Sequence, residues 1–425
     1  ITLEDELRRV YPAGDLAAQV LGVIEFGSGE GLAGLERQYD TLLTGDPGVL
    51  VVERDPRGAP IPQGTYELNP ARPGGDLITT LDREIQYVVE TALRETVEEW
   101  DGRVGTVVVL APDTGEILAM ASFPTFDPNN RATALPELMK NRAVTDVYEP
   151  GSTQKVVTIA AALEEGVVRP GDVLEVPQSY TINDKEYRDL EHHDDYMSVE
   201  DIVTFSSNVG TIKIEELLGD EGLFRYLHAF GLGSAAGVDF PGEEGGFLWP
   251  LDQWCQTTCG ASTAIGYRVS VTALQMAGVY ATIANDGQWV QPHLVSAVVD
   301  DDGVRSPVAF RRRRVVSPLT AQRLRIMLER VVREGTGRRA AVPGYRVGGK
   351  TGTTEKYLPD EERYSEDDVV ASFIGMAPAT APEIVVAVVI DSPQGEDRFG
   401  GVVAAPVFAR IMEAALHQLG VPPDA

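Results

Sequence analysis

The chain has 425 residues, 36 of them basic and 65 acidic, with a formal net charge of −29. At roughly 150 residues per domain this length points to two or three domains, and a hydrophobic content of 43% rules out wholesale disorder. So negative a surface repels a phosphate backbone, which argues against nucleic acid as a partner, and no apolar run reaches the ~18 residues of a membrane helix.

The chain opens at Ile1 within a charged stretch, which reads as a fragment with any leader or anchor lying upstream. Residues 1–75 are rich in Gly and Pro; their pattern predicts a helix over 32–43, strands over 49–53 and 61–68, and a linker over 70–75. A helix is predicted over 82–100, with Asp82 as its cap and Ile85, Val89, Leu93 and Val97 on its apolar face. Strands over 105–110 and 116–121 form a hairpin about Pro112-Asp113-Thr114-Gly115. Pro150-Gly151 opens, and Gly166 closes, a helix over 152–165. Short helices and turns follow, one helix over 199–204, then longer helices over 269–285 and 318–334. Strands over 345–353, 369–376 and 384–391 and a helix over 405–419 close the chain. The link 377–382 has hairpin length, so the last two strands are antiparallel. This order suits a mixed sheet covered by helices.

Only six of the 36 basic residues are lysines, so a motif containing lysine carries extra weight. Ser152-Thr153-Gln154-Lys155 places a serine at a helix start and a lysine one turn on, on the same face. The helix end favours an alkoxide, and a free amide of its first turn can bind an oxyanion. Lysine acts as a base near neutral pH only when burial and a second cation lower its pKa from about 10.4. Ser206-Ser207-Asn208, a Ser-x-Asn after a short helix, has the alternative reading of a turn or cap. Lys350-Thr351-Gly352-Thr353 lies on a predicted strand, which puts Lys350 and Gly352 on one side and Thr351 on the other. Gly352 leaves room for a substrate backbone along the strand edge.

The stretch from Gly344 to Thr351 also fits G-x-x-x-x-G-K-T, and the strand ending at Asp391 mimics the acidic strand of a nucleotide-binding site. A phosphate loop must open a helix. Here Pro359 and the acids Asp360, Glu361, Glu362, Glu366, Asp367 and Asp368 follow, and they oppose both an amphipathic helix and a triphosphate.

With Ser-x-x-Lys, Ser-x-Asn and Lys-Thr-Gly in this order, the chain resembles the penicilloyl serine transferases over almost its whole length. Within them it resembles a class B penicillin-binding protein, a monofunctional D,D-transpeptidase. Tyr148-Glu149-Pro150-Gly151-Ser152, the SSNVGT of 206–211 and Ala371-Ser372-Phe373-Ile374-Gly375 carry the likeness. SSNVG is more similar to the septal, cell-division branch than to the elongation branch. The resemblance implies a mixed α+β fold, a five-stranded antiparallel sheet flanked by helices, over residues 76–425, with a non-catalytic pedestal over 1–75. It implies that Ser152 attacks the penultimate D-Ala carbonyl of a peptidoglycan stem peptide. Lys155 is then the base, Ser206 relays a proton to the leaving D-Ala, and Asn208 orients Lys155 and the donor. The amides of Ser152 and Thr353 hold the oxyanion; Lys350 supplies charge, and Thr351 a hydroxyl, near the donor carboxylate that a β-lactam imitates. An amine of a neighbouring stem peptide takes the acyl group.

The same resemblance implies no metal or organic cofactor. It implies a membrane glycan polymerase and other division proteins as partners, and a place on the extracytoplasmic face of the bacterial membrane, held by an N-terminal helix absent from this chain. The alternatives are acyl transfer to water, as in a D,D-carboxypeptidase or β-lactamase, and a non-enzymatic β-lactam sensor. A class A β-lactamase needs a Glu-x-x-Leu-Asn after Ser-x-Asn, and the sequence has none. The length of the segment 1–75 fits a wall synthase better than a sensor.

Three other features carry weaker readings. Glu191-His192-His193-Asp194-Asp195 reads as a solvated loop before a metal site, because adjacent residues rarely face one ion. Cys255 and Cys259 can pair if their segment is a loop, but not easily within a helix. Arg311 to Arg314 edges a strand and keeps it soluble, or attracts an anionic lipid or polymer.

Overall fold

The structure, a computed structural model, describes residues 9–25, 27–300, 302–358 and 363–425. Part of the acidic run after Lys350 (359–362) and the first residues of the pedestal lie outside the described residues.

Helix α1 (Arg83–Glu99) starts where the Asp82 carboxylate accepts the amides of Glu84 and Ile85 at 2.9 and 3.0 Å. Strands β1 (Val104–Leu110) and β2 (Ile117–Phe123) follow as a hairpin. A 3₁₀ turn at Gly151–Thr153 leads into α2 (Lys155–Glu164). The hairpin β3 (Ser179–Ile182) and β4 (Lys185–Arg188) precedes α3 (Val199–Thr204) and α4 (Asn208–Leu218). Then come α5 (Cys259–Ala264), α6 (Ala273–Ala284), β5 (Gln288–Val290), β6 (Arg312–Arg314) and α7 (Pro318–Arg333). The chain ends with β7 (Gly348–Leu358), β8 (Arg363–Ala377), β9 (Ile384–Asp391) and α8 (Gly400–Gln418).

The main sheet has the order β7-β8-β9-β1-β2, and every neighbouring pair is antiparallel. This is the expected five-stranded sheet. Alternation in β9 splits the core in two. Val386, Val388 and Ile390 pack with α1 and α8, through Leu93, Phe408 and Ile411. Val385, Ala387 and Val389 pack with α2, α6 and α7, through Val157, Tyr280 and Leu328. The second layer carries the nucleophile turn, and β7 sits at the sheet edge beside it.

The segment before α1 holds a short hairpin, Val49–Val52 with Tyr66–Asn69, and Asp76–Thr79, which pairs with Val295–Val299. Gln19 and Tyr39 tie it to the rest: the Gln19 amide donates to the carbonyls of Pro124 and Leu138, and the Tyr39 hydroxyl to Asp239. The helix expected over 32–43 is two, Gly34–Gln38 and Asp40–Thr44, because the Asp40 carboxylate turns back to accept the Gly31 amide at 2.8 Å. The strand expected over 61–68 shrinks to Tyr66–Asn69, because Gly64 closes a turn onto Ile61. The helix expected from 269 begins at Ala273, where Thr272 and Gln275 form a capping box; Val269–Ser270 pairs instead with Phe247–Leu248. After Lys350 the chain continues as strand to Leu358, so no helix receives a triphosphate there and the phosphate-loop reading fails. Asp391, the mimic of its acidic partner, is ion-paired with Arg103 and Lys356. No helix among the described residues is long and apolar enough to cross a membrane.

Candidate active site

Ser152 sits in the 3₁₀ turn, not in the first turn of the α-helix, which begins at Lys155. In a 3₁₀ turn residues i and i+3 eclipse, so Ser152 and Lys155 still share a side. Three anchors hold this turn. The Gly151 amide donates to Gly266 O at 3.1 Å, the Tyr280 hydroxyl to Thr153 O at 2.9 Å, and the Glu149 carboxylate accepts the Arg268 amide at 2.7 Å. Ser152 remains half-exposed on an otherwise buried turn.

The Lys155 ammonium donates to Ser206 O at 2.6 Å and to Asn208 Oδ1 at 2.7 Å, and lies 3.4 Å from Ser206 Oγ. Lys350 reaches the same hydroxyl from β7, Nζ to Ser206 Oγ 2.7 Å. Residues 51, 53 and about 200 positions from Lys155 along the chain thus meet in one network. Ser206 bridges the two amines from a left-handed backbone, φ 60°, a conformation that costs a non-glycine residue about 1 kcal/mol or more.

Both lysines are buried, and apolar side chains of Val156, Ile159, Ile202, Val203 and Leu324 back them around a cavity of about 10 Å³. Burial lowers Lys155 to about 7, with Asp189 pulling weakly the other way. Burial, then the charge of Lys155, pushes Lys350 well below the usual lysine range. A neutral amine has two N–H donors and a lone pair. The two short contacts of Lys155 use both donors, and the lone pair is left to receive a proton.

Asp189 is a residue that motif reading missed. Its carboxylate accepts the amides of Asn208 and Val209 at 2.5 and 3.1 Å and the Ser207 hydroxyl at 2.5 Å. It thereby anchors the start of α4, where the helix dipole favours an anion, and with it the Ser-x-Asn motif. His193 Nε2 lies 2.8 Å from the same carboxylate and donates to it in the tautomer protonated at that nitrogen. The side chains of His193 and Asp189 are only 10% and 3% exposed, so the loop read as solvated is in part a buried brace. The sequence signal was faint: an acid ahead of a helix start that it does not directly precede. Arg188 O, next to it, accepts Asn208 Nδ2 at 2.9 Å and fixes the amide's orientation.

The Lys-Thr-Gly strand departs from expectation in two details. Gly352 faces the nucleophile turn: a Cβ there would lie 2.9 Å from Thr153 Cγ2 and 2.4 Å from Ser372 Oγ. The missing side chain therefore lets the Ser152 turn pack on β7, which is a structural reason besides room for substrate. Thr351 is buried, with its hydroxyl 2.8 Å from that of Thr336, while the half-exposed Thr353 accepts the Gly400 amide at 3.0 Å. Neither hydroxyl bonds the two-lysine network; Lys155, Ser206, Asn208 and Lys350 are the residues brought together.

Cys255 and Cys259 form a disulfide, Cα–Cα 5.3 Å, because Cys255 lies in the loop that leads into α5 and Cys259 is its first residue. His192 contacts Gln178 at 3.3 Å, a partner unlike that of His193.

Residues 105–413 match the penicillin-binding protein transpeptidase domain, and residues 1–79 the penicillin-binding protein dimerisation domain. Penicillin-binding protein PbpB of Mycolicibacterium smegmatis is 37% identical, over 97% of this chain and 65% of its own length. Stage V sporulation protein D of Bacillus subtilis is 37% identical, over 99% of this chain and 65% of its own. The chain thus spans about 65% of the length of these two relatives. The peptidoglycan D,D-transpeptidase FtsI of Escherichia coli is 35% identical, over 100% of this chain and 70% of its own length. The crystal structure of penicillin-binding protein 3 from Mycobacterium tuberculosis, complexed with aztreonam, superposes with a TM-score of 0.87 at 36% identity, covering 98% of this chain and 92% of that one. Fold, motif order and these likenesses agree, and the chain belongs to the class B penicillin-binding proteins, the family of the penicillin-binding transpeptidase domain.

Proposed function

We propose that this chain carries the catalytic region of a peptidoglycan D,D-transpeptidase that works through a Ser152 acyl-enzyme. The observation that carries the reading is the meeting of Lys155, Ser206, Asn208 and Lys350 in one hydrogen-bonded network beside Ser152. The neutral Lys155 amine takes the Ser152 proton as the oxygen attacks the penultimate D-Ala carbonyl. Amides of Ser152 and Thr353 hold the oxyanion. The proton returns through Ser206 to the departing D-Ala nitrogen as the C–N bond breaks. Lys350 and Thr353 serve the donor carboxylate, and so does Thr351 once its bond to Thr336 is exchanged. An amine of a second stem peptide then attacks the ester, Ser152 recovers its proton, and an amide crosslink remains.

β-lactams acylate the same serine in this reading; solved structures of a relative hold aztreonam and ampicillin. Residues 1–75 act as the pedestal and 76–425 as the catalytic domain, a division supported by the dimerisation-domain match over 1–79. The protein works on the extracytoplasmic face of the membrane, with a glycan polymerase and other division proteins as partners. The septal assignment rests on the Ser206-Ser207-Asn208-Val209-Gly210 pattern, and relatives named as a sporulation protein and as FtsI support that side of the family.

Intact mass after incubation with penicillin tests the reading. One adduct per chain, on the peptide that holds Ser152 and lost in Ser152→Ala, is the expected result. Labelling that survives Ser152→Ala sinks the mechanism. The adduct should persist for hours, because the nucleophile is backed by apolar Val156, Val157 and Ile159, which leave water without activation. Release within seconds would favour transfer to water.

A further inference from the structure

A second cationic site lies apart from the two lysines. Arg311, Arg312 and Arg313 line one open cavity of about 470 Å³, together with His228, Leu274 and Trp289. No acidic residue lines it, although the chain has 65 acids against 36 basic residues. Among the described residues none of the three arginines forms an ion pair. Each is instead held by a neutral group. Arg313 stacks on the Trp289 ring at 3.9 Å and donates to Ala229 O at 2.9 Å. Arg311 Nε donates to Gln291 Oε1 at 3.1 Å, and Arg312 lies over the Phe310 ring at 5.3 Å. These contacts orient the guanidinium groups, and Glu243, held by the amides of Ala236, Gly237 and Val238, is an acid that feels the charge of Arg311 from outside the cavity lining. Burial, and then the charge of Arg311, pushes Arg313 below the usual arginine range.

We propose that this cavity is a binding site for a phosphate-bearing ligand, such as a phosphate ester or a pyrophosphate. Three guanidinium groups supply three positive charges and planar forks that pair bidentately with phosphate oxygens. A single carboxylate offers these forks two acceptor oxygens, whereas a phosphate ester or a pyrophosphate offers more oxygens and more charge. The volume is that of a small-molecule site and exceeds one phosphate, so Leu274 and Trp289 remain for an organic part. The source is either a soluble phosphate ester or the headgroup of a lipid. The site shares α6 with the nucleophile turn, since Leu274 lines the cavity and Tyr280 holds Thr153 O, but none of the catalytic side chains.

The test is calorimetric titration of the whole chain with inorganic pyrophosphate at fixed ionic strength, beside co-sedimentation with phosphatidylcholine vesicles with and without phosphatidylglycerol. Saturable binding of one pyrophosphate, weakened about tenfold or more in Arg312→Ala, is the expected result. Among the described residues the Arg312 side chain makes only a ring contact, so this variant should fold; Arg313→Gln serves as a second variant, and penicillin acylation reports folding of both. Pyrophosphate binding without vesicle binding assigns a soluble ligand. Vesicle binding that needs phosphatidylglycerol and yields to pyrophosphate assigns a headgroup. No saturable pyrophosphate binding overturns the proposal, and so does binding that both substitutions leave within twofold, or citrate binding as tightly as pyrophosphate.

Discussion

The lysine pair at the nucleophile and the arginine cavity at β6 are two cationic regions of one strongly acidic chain, built in opposite ways. Lys155 and Lys350 are buried, and their hydrogen bonds go to neutral oxygens of Ser206, Asn208 and Thr351. An ammonium there has lost its water and gained no carboxylate within bonding distance, so burial lowers Lys155 to about 7 and pushes Lys350 well below the usual lysine range. Arg311 and Arg312 stand at an open cavity and form no ion pair among the described residues, yet a delocalised guanidinium keeps its charge. Chemistry that moves a proton uses the first arrangement, and recognition of a fixed anion uses the second. The difference lies in residue type as much as in burial.

The largest expected effect breaks the first arrangement. Lys155→Arg keeps the positive charge but removes the proton acceptor, so the second-order rate of β-lactam acylation should fall about 10²–10⁴-fold. A rate within tenfold of the parent would mean that Ser152 loses its proton by another route, with Ser206 the first suspect.

A pH series sharpens the comparison. The reactive form is neutral Lys155, so acylation should rise with pH through about 7 and level off above it. The inflection belongs to the coupled pair of lysines. Lys350→Arg places a permanent charge beside Lys155 and disfavours its protonation, so the inflection should move to lower pH, with a rate loss milder than that of Lys155→Arg. An inflection that moves upward, or stays fixed, would separate the two amines.

Asp189→Asn tests the brace behind the network. It weakens four hydrogen bonds to one carboxylate and should cost about 1–3 kcal/mol in urea unfolding. It also removes the charge that favours protonated Lys155, so the acylation profile should shift to lower pH. A purely structural role would lower stability and leave the profile in place. The smallest effect belongs to the other cationic region: Arg312→Ala should leave acylation and its pH inflection within twofold of the parent, as among the described residues the Arg312 side chain contacts the Phe310 ring and neither lysine.

Much of this molecule was legible one element at a time. The Asp82 cap, the hairpin around Pro112 to Gly115, the three late strands and the last helix follow from short-range pattern; the structure has all of them, with α8 starting five residues early, β8 six residues early and β7 running five residues further than expected. Periodicity failed where a side chain within the window bonded backbone outside it, as at Asp40, whose carboxylate accepts the Gly31 amide and splits one expected helix into two. The motifs Ser152 to Lys155, Ser206 to Asn208 and Lys350 to Thr353 were legible because their chemistry needs particular residue types at particular spacings.

The sequence by itself determined the elements, the three motifs and the family likeness, because each depends on neighbours within a few positions or on residue type alone. Only the tertiary structure decided that Ser152 stands in a 3₁₀ turn, that Gly352 makes room for that turn, that Thr351 pairs with Thr336, and that Asp189 holds Asn208. It also decided the protonation of the lysines. Burial and the approach of Lys350 to Ser206 are sums over residues 144 apart in the chain, and desolvation has no local signature in sequence.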